Sequence, residues 1–388
     1  MVTYAGKLVL APMVRAGELP TRLMALRHGA DLVWSPELVD VKLMHTKRIE
    51  NAALSTVDYV ETSSRPGHTQ GNNIVFRTLP REETGKLILQ LGSNNPENAV
   101  RAALNVVRDV AGIDLNCGCP KHFSVHNGMG AALLSTPDLL CAILSSLVAK
   151  VGRVHDKPVS CKIRVLDSLD ATLALVERVC ATGIAHLTVH CRTRDMRNRD
   201  APKWDYLAPI AEVCKRHGVS VTLNGAVQSR AHFDTLREEL KLGPEVGAMI
   251  AEHAERNPSV FSRATPLEWP QAAREYLALA QSLDNHVGNT KYMLGRIIPG
   301  KQRMYQYMTR CKSDAELTWL LAQMDDEGKC TDDDPLKHIQ EMRKGETKSE
   351  SSGKNKAGEE EKPSAKHKAD EADEPSGKRQ KTEPKLSV

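Results

Sequence analysis

The chain has 388 residues, a net charge of +4 and nine cysteines; 40% of it is hydrophobic and 26% charged, but only 4% aromatic. That balance excludes a wholly disordered or fibrous chain and allows one large domain plus a smaller one, with a core resting on Leu, Val, Ile and Ala. The scattered cysteines form no C-x-x-C pair or zinc-finger spacing, no run reaches membrane-span length and the N-terminus lacks a signal-peptide pattern, so a soluble protein with reduced thiols, no metal and a cytoplasmic or nuclear location is expected.

Eight short apolar runs follow in chain order, at residues 7–11, 31–35, 86–91, 112–115, 159–165, 185–189, 219–223 and 246–251. Most are too short for helices, and several follow a Gly-containing turn. Helical spacing fills 96–110, 137–151, 168–181 and 207–216 between them. Strands alternating with helices predict a parallel sheet, and runs apolar on both faces predict strands covered on both sides. Eight such units predict a (β/α)8 TIM barrel, an α/β fold, over residues 1–265. The competing architecture is an open doubly wound sheet, but no G-x-G-x-x-G follows the first run. From 266 to 344 the pattern is helical only (271–284, 289–298, 301–310, 313–324), which predicts a small all-α domain. Between Gly345 and Lys385 there is no Phe, Trp, Tyr, Leu, Ile, Val or Met. The segment 345–388 therefore reads as a disordered charged tail.

Barrel enzymes build their sites at the C-terminal ends of the strands. Here those ends carry Pro12, Met13, Gln90, Asn116 to Pro120, Lys162, His190, Asn224 and Gly225. So many polar groups at one mouth suit a flat polar heterocycle: Gln90 can donate and accept, and Lys162 can stabilise negative charge. Asn224-Gly225-Ala226 leaves backbone N–H groups open to a phosphate. The plainer alternatives are a solvated strand end for Lys162 and a hydrogen-bonded core histidine for His190. In Asn116-Cys117-Gly118-Cys119-Pro120-Lys121 a tight turn presents a thiol that can act as a general acid. Cys117 as a second functional thiol, or the pair as metal ligands, are the alternatives there. Gly128-Met129-Gly130 reads only as a loop entering a helix. After the sixth run come Arg192, Arg194, Arg197 and Arg199, either a phosphate-contact loop or a solvated face.

These ordered segments resemble the tRNA-dihydrouridine synthases, most of all the eukaryotic class that modifies position 20 of the D-loop. The resemblance rests on Leu10-Ala11-Pro12-Met13-Val14-Arg15, Leu89-Gln90-Leu91-Gly92, Asp114-Leu115-Asn116-Cys117-Gly118-Cys119-Pro120-Lys121, Gly128-Met129-Gly130-Ala131-Ala132-Leu133-Leu134, Lys162-Ile163-Arg164, Val189-His190-Cys191-Arg192-Thr193, Asn224-Gly225 and Asn257-Pro258-Ser259-Val260-Phe261. It is weaker in the helical region, where Asn289-Thr290-Lys291-Tyr292 is the best stretch. It implies an FMN barrel with NADPH (or NADH) as reductant, acting on tRNA as a monomer, without the double-stranded-RNA-binding domain of animal members. By the resemblance Pro12, Met13, Gln90, Lys162, His190, Asn224, Gly225, Ala251 and Glu252 hold FMN, and Cys119 donates the proton to C5 while hydride goes to C6. Asn116, Arg192, Arg194, Arg197 and Lys291 contact the substrate. Three positions depart from the family's habit: Cys191 and Ala226 stand where Gly is usual, and Glu252 where Arg is common. An acid beside a phosphate is unfavourable unless a base such as Arg256 offsets it. The rival functions are an FMN barrel for a small molecule, and a tRNA-binding chaperone with a decayed flavin site. In the tail, Lys366-His367-Lys368 and Lys378-Arg379-Gln380-Lys381 resemble a bipartite nuclear import signal.

Overall fold

A computed structural model describes residues 2–62 and 74–353 and, over 345–353, the backbone alone. Each of the eight apolar runs is a strand: β1 Leu8–Leu10, β2 Leu32–Trp34, β3 Leu87–Gly92, β4 Gly112–Cys117, β5 Val159–Arg164, β6 His186–His190, β7 Ser220–Asn224 and β8 Gly247–Ile250. The largest shift from expectation is at β4, which continues to Cys117. Neighbours pair in parallel around the sequence order, β1 pairs with β8, and β2 with β3, so the sheet closes into an eight-stranded barrel.

Alternation along each strand sorts the side chains. In β4 and β5, Ile113, Leu115, Cys117, Val159, Cys161 and Ile163 join the buried layer beneath the helices. The inward set is polar over β4 to β7, contrary to the expectation of strands apolar on both faces, whereas Val9, Leu32, Trp34, Ile88 and Met249 keep the rest of the interior apolar. Ser160 Oγ donates to Asp114 Oδ1 at 2.6 Å and Gln90 Nε2 to Asp114 Oδ2 at 2.8 Å. His186 lies 3.0 Å from Ser220 Oγ and 3.2 Å from Thr188 Oγ1. Polar groups survive inside the barrel because these bonds satisfy them. Burial leaves its mark all the same, raising Asp114 to about 6 and lowering His186 to about 3. Tyr4 plugs the N-terminal end, stacked on His186 with ring centres 4.4 Å apart.

Around the barrel run α1 Leu19–Arg27, α2 Pro96–Val106, α3 Pro137–Leu147, α4 Leu169–Cys180, α5 Leu207–Arg216 and α6 Arg230–Glu239. Local chemistry sets several starts. Asn95 caps α2, Ser168 caps α4 and Ser229 caps α6, each accepting from the first-turn N–H groups. The connection from β2 to β3 is different and was not foreseen. It carries the strand Leu38–Val39, the helix Asp40–Met44, and an antiparallel sheet of Thr46–Asn51, Thr56–Glu61 and Ile74–Thr78.

The remaining helices are α7 Trp269–Ser282, α8 Val287–Ile297, α9 Arg303–Arg310, α10 Asp314–Ala322 and α11 Pro335–Gly353. The first four build a core of their own that also takes in Ala16, Leu19, Leu23 and Met24 from α1 and the loop before it. The chain up to Ile339 is one compact unit. Helix α11 runs past the tail boundary expected at 344, through Glu and Lys residues of good helix propensity. From 354 on, the expected disordered tail lies outside the described residues.

Candidate active site

The C-terminal ends of the strands open into a cavity of about 650 Å³, a size typical of small-molecule and cofactor sites. It gathers Pro12, Met13, Gln90, Asn116, Cys119, Lys162, His190, Arg192, Asn224, Gly225, Ala251 and Glu252. The barrel register explains the convergence: Asn116 lies beside Lys162, and His190 beside Arg164 and Asn224, on adjoining strands.

Lys162 reaches the cavity with no hydrogen bond or ion pair from the described residues. Burial, helped by the neighbouring Arg164 guanidinium, lowers its pKa to about 8. It remains mostly cationic at neutral pH. His190 is held far below its usual range by burial and by the cations Lys162, Arg164 and Arg192, so it faces the cavity as a neutral ring. The Gln90 amide nitrogen is spent on Asp114, which orients the side chain.

Asn116 shapes the loop that follows β4. Its Oδ1 accepts from the backbone N–H of Gly118 at 2.9 Å and of Cys119 at 3.1 Å. That turn brings the half-buried Cys119 to the cavity wall, while Cys117 stays fully buried under the helices. Burial and the facing Glu37 carboxyl push the Cys119 thiol up, so it keeps its proton at neutral pH. No cluster of His, Cys, Asp and Glu that could hold a metal occurs among the described residues.

On the β7–β8 side, Gly225 has φ +116°, and a Cβ there would come within 3.1 Å of the His190 ring. Ala226 follows with φ 59°, a left-handed conformation that glycine adopts at less cost than alanine. Asn224 Nδ2 donates to Met249 O at 2.9 Å and so ties β7 to β8. Glu252 is not a bare charge. It accepts from Arg256 Nη2 at 2.6 Å and Asn198 Nδ2 at 2.9 Å. Cys191 is fully buried, outside the cavity lining.

Arg192 lines the cavity but spends its guanidinium on the loop, donating to Asp200 O at 2.7 Å and Asn198 O at 3.0 Å. Arg194 and Arg197 are exposed and lie outside the lining; their side chains find no partner among the described residues. Lys291 is elsewhere: its ammonium binds the carbonyl oxygens of Thr309 and Cys311 at the end of α9. Reading by strand ends passed over Glu37, Arg164, Glu255, Tyr292 and Arg296, all of which line the cavity. Tyr292 donates to Glu255 at 2.6 Å, Arg296 pairs with the same carboxylate at 3.1 Å, and Arg15 stacks over the Tyr292 ring. This cluster joins α8 to the barrel mouth.

Comparison with known proteins adds to this geometry. The family profile described as Dihydrouridine synthase (Dus) matches residues 9–342. The tRNA-dihydrouridine(20) synthase (NAD(P)+) of Saccharomyces cerevisiae is 55% identical over 348 residues, covering 88% of this chain and 90% of that protein. The Schizosaccharomyces pombe protein of the same name is 48% identical over 306 residues, covering 78% of this chain and 62% of that one. A S. cerevisiae tRNA-dihydrouridine(20a/20b) synthase (NAD(P)+) is 29% identical over 269 residues, covering 69% of this chain and 64% of that one.

Proposed function

The chain belongs to the dihydrouridine synthase family, and from that premise we propose that it reduces a uridine of the tRNA D-loop, at position 20, to 5,6-dihydrouridine with FMN and NADPH or NADH. The observation that carries the reading is the meeting of a protonated thiol, Cys119, an unpaired ammonium, Lys162, and a neutral His190 on one cavity. Position 20 is favoured by the higher identity to the two position-20 relatives than to the 20a/20b relative.

The site suits a flavin. The Gln90 amide, the Lys162 ammonium and the backbone around Gly225 and Ala226 would hold its ring and phosphate, and the paired Glu252 would leave the phosphate end without a free negative charge. When bound, FMN supplies the hydride that reaches C6 of the uracil. The chain's own work is binding, orientation and one proton. Lys162 supplies positive charge where electron density accumulates. Neutral His190 offers a hydrogen bond without competing for that charge. Cys119 gives its proton to C5, and the raised thiol pKa keeps that proton available. A flipped-out base reaches such a pocket more readily than a paired one. The exposed Arg194 and Arg197 are placed to meet tRNA phosphates. We read the chain as acting as a monomer without metal. We also assign the two basic clusters of the tail to nuclear import; unchanged distribution after deletion of 345–388 ends that assignment.

The test is to incubate unmodified tRNA transcript with the protein, FMN and NADPH and to map dihydrouridine by nucleotide. Product confined to position 20 is expected. NADPH consumption with a small enone and none with tRNA would overturn the reading.

A further inference from the structure

On the cavity wall beside Cys119 sits a carboxyl group that the mechanism above does not use. Glu37 follows β2, in the turn before Leu38–Val39, and its side chain crosses to the loop after β4. It is 9% exposed. Its Oε1 accepts from Ser124 Oγ at 3.0 Å, on the short helix His122–His126. Its Oε2 is buried with no formed hydrogen bond. The carboxyl faces the Cys119 thiol and the Asn116 amide. Leaving a buried carboxyl oxygen unpaired is costly, and here it is left so beside a group that loses a proton in every catalytic cycle.

Two glycines keep this arrangement open. At Gly92, a Cβ would stand 2.6 Å from Glu37 Oε1. At Gly130, with φ +59°, a Cβ would run into Ser124 Oγ and the Cys119 carbonyl oxygen. Gly130 belongs to Gly128-Met129-Gly130, a motif with no role until this point. Its function is spatial: it lets the segment after Cys119 fold back onto Ser124 and Glu37. Ala131 N–H donates to Cys119 O at 3.0 Å and closes the fold.

We propose that Glu37 is a positioning residue whose carboxylate, anchored by the buried Ser124 hydroxyl, keeps the Cys119 thiol protonated between turnovers. The inference rests on the dihydrouridine synthase reading of the site. The balance is simple. FMN, when bound, would supply the hydride and its two electrons to C6. The C5–H bond forms as the Cys119 S–H bond breaks, leaving a thiolate. The thiolate, disfavoured beside the Glu37 carboxylate, regains a proton from solvent at the open cavity. No further oxidant or reductant is needed. The charged groups acting on this unit are Lys121 from the same loop, which favours the anions of both Glu37 and Cys119. Lys162 and Arg164 of β5 act on Cys119 from across the cavity. Glu37 opposes all three by making a second negative charge beside it unfavourable.

The experiment uses the full chain with FMN bound, as wild type, Glu37→Gln and Glu37→Asp. Iodoacetamide labelling of Cys119 is followed by peptide mass spectrometry across pH, and dihydrouridine formation is followed across the same range. The midpoint for Cys119 labelling is expected to fall by about one pH unit in Glu37→Gln. Its turnover is expected to fade at lower pH than wild type, by about the same interval. Glu37→Asp, which keeps the charge, should recover part of both. Equal flavin absorbance and melting temperature exclude misfolding as the cause. A labelling midpoint and pH profile identical to wild type in Glu37→Gln overturn the proposal. If wild type makes no dihydrouridine, the tRNA reading falls, while the labelling midpoint still decides whether Glu37 governs the thiol.

Discussion

Lys162 shows how a residue selected for chemistry weighs on the fold. Its folded pKa, about 8, lies below the ordinary 10.5. The unfolded chain therefore binds more protons between those values, and stability rises with pH across that window. Below about pH 8 the charged lysine destabilises the empty barrel in full. Lys162→Met should accordingly stabilise the cofactor-free protein at pH 7, by roughly 1–3 kcal/mol, with the gain fading toward pH 10. The same variant should lose FMN affinity, measured by flavin fluorescence. A lower melting temperature at pH 7 contradicts this account of the site. Lys162, His190, Gln90 and Cys119 were legible in the sequence because each ends or follows a strand of the barrel. Arg164 was equally accessible, since it lies two residues beyond Lys162 on the same strand face, and Glu37 stands three residues after Trp34. Reading only the last residue of each run passed over both. The surroundings of Lys291 were not legible: its charge looks free in sequence, and only the fold shows the carbonyl oxygens of Thr309 and Cys311 that it binds.

At the level of elements, the insertion after β2 is tied to the barrel by a buried ion pair. Arg22 of α1 donates to Glu83 at 2.6 Å, and its remaining donors go to Gly17 O and Arg77 O. Glu83 also accepts from Thr78 Oγ1 and the Leu79 N–H. Both side chains are fully buried. Removing one partner leaves the other charge unpaired, so Arg22→Ala is expected to cost about 3–5 kcal/mol in urea unfolding. The double variant Arg22→Met/Glu83→Leu should recover much of that loss. A cost under about 1 kcal/mol for the single variant would show that water satisfies Glu83. The sequence concealed this unit because periodicity alone does not report a three-stranded sheet replacing a crossover helix. Capped helices such as α2 and α4 were legible because spacing and cap agree.

For the molecule as a whole, a net charge of +4 is modest, so tRNA binding must come from where the charge sits. On the proposal that exposed Arg194 and Arg197 meet tRNA phosphates, affinity should fall at least about tenfold between about 50 and 200 mM salt. Arg194→Ala/Arg197→Ala should flatten that slope without changing FMN binding; an unchanged slope removes the loop from the interface. The central claim is that one barrel mouth joins flavin, uridine and the Cys119 proton. It is tested most directly by pre-reducing FMN-loaded wild type and Cys119→Ala, adding unmodified tRNA without NADPH, and counting dihydrouridine per flavin. The account predicts close to one product per flavin for wild type and a large loss for Cys119→Ala, with both proteins equally reduced beforehand. Equal product from the two would contradict it, because the C5 proton would then come from elsewhere.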